Sequence, residues 1–169
     1  MIRQYLSGAI AAEKALEQHL RTIAAEGDDA EVQLAFAAFA DEAKSRLSRL
    51  QSRLAALPGD QPEGRNPFAS LLDIVPVPQA GNTLEERLVQ NLVNAFSLQR
   101  GACALFETLA HAAQAGADQV TEQLAREIQA EHSRAAEKLF RFLPTRSKIA
   151  FNVLTAHEVN PAIETKVGL

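Results

Sequence analysis

The positions of the prolines constrain this 169-residue chain more than any other feature. Five of the seven prolines lie between residues 58 and 78, and the other two are Pro144 and Pro161. Because proline removes a backbone hydrogen bond and clashes inside a helix, long helices can form only in the proline-free stretches 1–57 and 79–143. The pattern predicts two helical halves that are joined by a proline-rich connector.

Each half is divided again by a glycine that is closely followed by an aspartate. Gly27 can end one helix and Asp28 can cap the next, and Gly116 and Asp118 repeat this arrangement in the second half. Thr83 opens a capping box at the start of the third helix. The predicted helices span about residues 2–26, 29–57, 84–115 and 118–143, and Pro144 is expected to end the fourth.

The composition and the lengths of the connections predict how these helices are arranged. With 31 alanines and 21 leucines against 9 valines and 7 isoleucines, the chain favours helices and excludes an all-β fold. The short links predict antiparallel hairpins, whereas residues 58–83 are long enough to travel the length of a bundle. Two hairpins joined by one crossover form an all-α ferritin-like four-helix bundle over residues 1–143. We expect a short helix at 66–74 within the crossover and an apolar C-terminal tail at 144–169.

Charge and cysteine content limit which partners the protein can bind and in which cellular compartment we expect it. The 17 basic and 21 acidic residues are spread along the chain without a basic block, which argues against nucleic acid as a partner. Cys103 is the only cysteine, so no intramolecular disulfide can form. No signal peptide is recognisable, and no apolar run approaches the roughly 18 residues that cross a bilayer. We expect a cytoplasmic protein without a membrane partner, and a homodimer in which the tail packs on the bundle or on the second subunit.

Polar side chains interrupt the apolar stripes near the middle of each predicted helix. Glu13 takes a core position in the first helix and Glu131 does so in the fourth, whereas Glu42 adjoins the stripe of the second. In the third helix the polar side chain is Gln99. We expect these residues to converge, because the midpoints of the helices coincide in such a bundle. Carboxylates gathered in a low-dielectric core must share protons, pair with cations or ligate a metal.

Three segments resemble helices of the bacterial ferritin-like stress proteins of the YciE/YciF type. Residues 5–16 are similar to the first helix of that family, residues 39–50 to the second and residues 128–134 to the fourth. The resemblance implies a stress-response bundle, and bundles of the wider superfamily hold two metal ions between glutamates and Glu-x-x-His motifs. It implies iron or manganese as the metal, if one is bound. The metal ligands that it implies in this chain are Glu13, Glu42 and Glu131.

The chain departs from that ligand pattern in three of its helices. Arg134 stands where the fourth-helix motif would place histidine, and Ala102 falls where a third-helix glutamate is expected. The corresponding region of the second helix contains Ser45 and Arg46. Arginine does not ligate metals, but it neutralises a buried carboxylate through paired hydrogen bonds. Two arrangements stay open: a metal bridges the acids, or Arg46 and Arg134 turn inward in its place, which the loss of ligands favours.

The sequence assigns no reaction to this chain. Its four histidines are interpreted as structural or surface residues, and His132 should point about 100° away from Glu131 around the helix. The leading hypothesis is a ferritin-like stress-type bundle protein with a reduced or lost di-metal carboxylate site. The alternative is a metal-free scaffold or interaction protein that acts as a helical dimer and binds a protein partner. A third hypothesis is a bundle that holds an apolar ligand between its helices.

Overall fold

The chain forms four helices and no strand over residues 1–59 and 83–159, which are the residues that the structure, a computed structural model, describes. The helices are α1 (Ile2–Glu26), α2 (Ala30–Ala56), α3 (Leu84–Ala115) and α4 (Gln119–Val159). The predicted all-α class is therefore confirmed. Over the described ranges, none of these helices combines the length and the apolarity that a bilayer crossing requires. The short helix predicted at 66–74 and the end of the tail lie outside the described residues.

Side-chain caps fix where three of the helices begin. Thr83 accepts a hydrogen bond from the backbone N–H three residues further on at 3.1 Å, as the capping box predicts. Asp118 caps α4 in the same way at 3.0 Å. The predicted cap Asp28 is wrong, because Asp29 accepts the corresponding bond at the start of α2 at 3.1 Å. The physical reason lies in Gly27, whose backbone is extended at φ −100° and carries the chain one residue further before α2 begins.

Ion pairs at the two ends of the bundle show the direction of its helices. Near the end of α2, Arg53 Nη2 lies 2.7 Å from Oδ1 of Asp118, which precedes α4. At the opposite end, Arg146 Nε on α4 lies 3.0 Å from Oδ2 of Asp29, which precedes α2. Helix α2 is therefore antiparallel to α4 and runs in the same direction as α3, so the end of α2 and the start of α3 lie at opposite ends of the bundle. This is the predicted ferritin-like arrangement.

The core consists of two apolar clusters that are stacked along the bundle axis. The cluster nearer the α1–α2 link contains Leu16, Leu20, Phe36, Phe39, Leu92 and Leu139 among its buried residues. The cluster nearer the α3–α4 link contains Leu6, Leu50, Leu105, Phe106, Leu109 and Ile128. Between these clusters lies a layer of buried polar side chains. The fold therefore surrounds these polar groups with apolar side chains on both sides.

Helix α4 continues through Pro144 to Val159, so the prediction that Pro144 ends it is wrong. Proline there removes the hydrogen bond that its N–H would donate to the Phe140 carbonyl. The ring lies on an exposed face, where water can satisfy that carbonyl. Beyond it, buried Ala150 and the ion pair of Arg146 with α2 hold the next turns on the bundle. Tertiary contacts thus compensate for the lost helical bond.

Candidate functional site

Each of the four helices contributes one side chain to the buried polar layer. These side chains are Glu13 from α1, Arg46 from α2, Gln99 from α3 and His132 from α4, and each is at most 1% exposed. Glu13, Arg46 and Gln99 lie near the middle of their helices, and His132 lies in the first half of the longer α4. The periodicity that buries the neighbouring apolar residues also turns these side chains inward. We call these four residues the central network.

Hydrogen bonds link the central network into one chain across the bundle. Arg46 Nε donates to Glu13 Oε2 at 3.0 Å, and the other carboxylate oxygen lies 2.5 Å from His132 Nε2. His132 Nδ1 lies 2.6 Å from Gln99 Oε1, so both ring nitrogens face acceptors. The imidazole stacks on Phe106 with 5.3 Å between ring centroids, which fixes its orientation. Because the Glu13 carboxylate can only accept, Nε2 of His132 carries a proton and donates it to Glu13.

Glu13 is the acidic centre of this network. Burial alone would raise the pKa of the Glu13 carboxyl, but the hydrogen bonds and charges of His132 and Arg46 outweigh that cost and hold its pKa below the ordinary value. A buried carboxylate that accepts hydrogen bonds from Arg46 and His132, and whose pKa is lowered, is charged in the folded state. The network is therefore an ion-paired assembly rather than a set of neutral side chains.

The other two acids proposed from the sequence lie beside the central network and face the same arginine. Arg46 Nη1 lies 3.8 Å from Glu131 Oε2 and 3.9 Å from Glu42 Oε2. Arg49 Nη2 donates to both oxygens of Glu131 at 2.7 Å. Within the described residues, neither Nη atom of Arg46 makes a hydrogen bond. The three carboxylates thus surround one guanidinium, and Arg46 and Arg49 are the cations that compensate their charge.

This arrangement does not fit a metal centre. A metal ion needs carboxylate and imidazole lone pairs that point at a common open position. Here the Arg46 guanidinium lies between the acids, and Arg49 already binds both oxygens of Glu131. Within residues 1–59 and 83–159, no group of three or more histidine, cysteine, aspartate or glutamate side chains is placed to hold a metal. The N–H donors of the two arginines occupy the space that a metal ion would need in order to bind these carboxylate oxygens.

The structure contradicts the expectation for Arg134 and places His132 in the core. Arg134, which was expected to turn inward with Arg46, is exposed, and His132, interpreted as structural or surface, is fully buried at the centre of the site. The inward face of α4 lies about one residue further round than Glu131, which the sequence placed at a core position, and Val120 is 62% exposed. Glu131 consequently lies at the edge of the core, with 26% of its side chain exposed. The residues that form the buried stripe are Thr121, Ala125, Ile128, His132, Ala135 and Leu139.

A signal for His132 is present in the sequence. His132 follows Ile128 by four residues and precedes Leu139 by seven, which places all three on one helical face. Placing Glu131 on the core face hides this relation, because the adjacent His132 then points about 100° away.

A separate cavity of about 800 Å³ lies at the end of the bundle where α1 ends and α3 begins. Its apolar side is formed by Ile23, Phe36 and Leu88, and acidic and basic side chains both line its rim. His19 Nε2 is buried there without a hydrogen-bond partner in the described residues, and burial lowers the pKa of its imidazole. This mixed lining favours no single class of ligand.

The element order and the helix directions define an all-α four-helix bundle of the ferritin-like type. The structure is similar to that of the E. coli stress protein YciF, with a TM-score of 0.73 and 18% sequence identity over 87% of this chain and 94% of that one. It is also similar to a protein of Xanthomonas campestris pv. campestris, with a TM-score of 0.70 and 17% identity over 93% of this chain and 95% of that one. No family model and no curated protein matches the sequence. The resemblance to the YciE/YciF-type bundle is thus confirmed for the fold.

Proposed function

We propose that this protein is a ferritin-like stress-type bundle protein that has lost its di-metal carboxylate site and acts through protein contacts. The observation that carries this proposal is the position of Arg46, whose Nε lies 3.0 Å from Glu13 and whose Nη1 lies 3.8 and 3.9 Å from Glu131 and Glu42. A guanidinium is a permanent cation with a delocalised charge. It supplies locally the charge compensation that a metal would give to the same acids.

The central network also has the character of a structural element. Its four side chains are closed off from solvent by apolar clusters on both sides. A substrate would need a path to these groups, and each of them is at most 1% exposed. In this role the network fixes the register of the four helices, and function moves to the outer surface of the bundle.

Metal content is the direct test of this proposal. The full chain should be expressed with added iron and manganese and purified without chelators. Elemental analysis by inductively coupled plasma mass spectrometry should then find far less than one metal ion per protomer. Its melting temperature should not change on addition of a chelator. The variant Arg49→Ser removes the partial neutralisation of Glu131 but keeps Arg46, and it should be equally free of metal. One or two equivalents of iron or manganese, together with a lower melting temperature after chelation, would overturn the proposal and restore a working di-metal site.

A further inference from the structure

The outer face of the second half of α4 exposes large apolar side chains in a line. Phe140 is 57% exposed and Phe151 is 68% exposed. Phe140 also contacts Phe96 of α3, with ring centroids 5.7 Å apart, and exposed Val93 lies on α3 one turn before Phe96. Exposed aromatic side chains in contact with a second apolar residue are typical of an interaction surface.

The spacing of this face is that of a coiled-coil seam. Phe140, Pro144, Ser147 and Phe151 follow one another at intervals of four, three and four residues, and all four are exposed. From Phe140 to Phe151 the seam is about 16 Å long, at about 1.5 Å per residue. The seam therefore offers an exposed phenylalanine at each of its ends to a neighbouring helix.

Three cations flank the seam at intervals of seven residues. Arg134, Arg141 and Lys148 are exposed, and none of them forms an ion pair with another described residue. Arg141 directly follows Phe140, Lys148 directly follows Ser147, and Arg134 lies seven residues before Arg141. All three cations therefore lie on the same side of the seam. The single acidic residue between 132 and 155 is Glu137. This surface is therefore basic on a chain whose net charge is −4.

We propose that the seam and its cations form a docking site for an acidic amphipathic helix of a partner protein. Apolar side chains of that helix would cover Phe140 and Phe151, and its carboxylates would face Arg141 and Lys148. Flanking charges select partner and orientation in paired helices. The site deepens the proposed role in protein contacts, but it uses none of the residues of the central network.

Charge argues against two other occupants of this surface. In a two-fold dimer built on this seam, both copies would present the same cations to one interface, and like charges placed there repel. An anionic bilayer would attract the three cations but repel a chain of net charge −4. Two phenylalanines separated by a proline also give little apolar area for insertion. An acidic helix satisfies both the apolar seam and the flanking charges.

Synthetic helices can test this site on the full chain. The probe is a fluorescent peptide of about three heptads with leucine at the seam positions and glutamate at the flanking ones, whose own pairing is opposed by like charges. Two control peptides carry lysine at the flanking positions or the acidic sequence in scrambled order. Fluorescence anisotropy should show that the acidic peptide binds and that the two control peptides do not. Phe140→Ala and Phe151→Ala should each weaken that binding about tenfold.

Charge reversal makes the test specific. The double variant Arg141→Glu, Lys148→Glu should lose the acidic peptide and bind the lysine peptide instead. A matched control is Leu34→Ala, which changes an exposed leucine on α2 and should leave binding unchanged. The proposal is overturned if the acidic and scrambled peptides bind alike or not at all. It is also overturned if phosphatidylglycerol vesicles bind more tightly than the peptide, or if Phe151→Ala breaks a dimer of the protein. Metal content decides the proposed function separately, so the two can fail independently.

Discussion

Arg46 Nε on α2 donates a hydrogen bond to Glu13 Oε2 on α1 at 3.0 Å, and neither side chain is more than 1% exposed. Removing two charges from water costs several kcal/mol each, and their attraction repays this cost only when the pair is intact. His132 completes the pairing from α4. The central network therefore stabilises the bundle only as a whole, and loss of one member leaves a buried charge without compensation.

Replacement of the arginine should be among the most destabilising changes in this protein. Arg46→Met leaves the Glu13 carboxylate buried with one cation fewer, and we expect the free energy of unfolding to fall by about 3–5 kcal/mol. Adding Glu13→Gln to this variant should recover part of the loss, because the uncompensated charge is then gone. Urea denaturation followed by circular dichroism measures both. Arg134→Ala is the control: this arginine is exposed, so its change should stay within about 0.5 kcal/mol.

Acid should weaken the bundle partly through Glu13. The pKa of this carboxyl is lower in the folded chain than in the unfolded one, so its contribution to stability is present above the unfolded value, about 4.3, and is lost as the pH falls through the folded value. The difference in unfolding free energy between wild type and Glu13→Gln should therefore be constant near neutral pH and shrink below about pH 4. Glu137→Gln, at an exposed position, should show no such trend. A gap that stays the same down to acid unfolding would contradict this explanation.

Asp29 should matter more than its neighbour Asp28. It caps α2 and pairs with Arg146, and the hydrogen bond from Arg146 is the main reason why its pKa is lowered. Asp29→Ala should cost about 1–2 kcal/mol, mostly through the lost cap, because the ion pair is partly exposed to solvent. Hydrogen exchange should also become faster in α4 beyond Pro144, which this pair holds on the bundle. Asp28→Ala is the matched control and should change neither quantity by a measurable amount.

Residues beyond Leu143 should determine the oligomeric state. The sequence predicts a homodimer to which the C-terminal segment contributes, and Ile149 stays partly exposed at the end of the bundle, on the side of α4 away from Phe151. Light scattering should report a dimer for the full chain at micromolar concentration and a monomer for a chain that ends at Leu143. A full-length monomer would contradict the prediction. Circular dichroism of the shortened chain confirms that its bundle is still folded.

Local sequence determined most of the architecture. Prolines, glycines and capping residues act on their own backbone within a few residues. The starts of α1 and α3 and the end of α2 therefore lie within about one residue of their predictions. Glu13 and Gln99 could be placed inward from the sequence, because the large apolar residues of their helices define one buried face and so fix the rotation of each helix about its axis. The convergence of the acids near the middle of the bundle could be predicted from the lengths of the helices and their antiparallel order alone.

Contacts between helices decided the rest. Adjacent residues on a helix differ by about 100°, and the sequence of α4 by itself does not distinguish two neighbouring faces. Packing against α3 selected the face that buries His132 and leaves Glu131 at the edge, and the same rotation exposed Arg134. Helix α4 passes Pro144 because Ala150 and Arg146 gain contacts that offset one lost hydrogen bond. The sequence thus placed acids at the centre of the bundle with Arg46 beside them, and only tertiary packing made His132 rather than Arg134 the further partner of Glu13, because side-chain direction depends on how whole helices fit together.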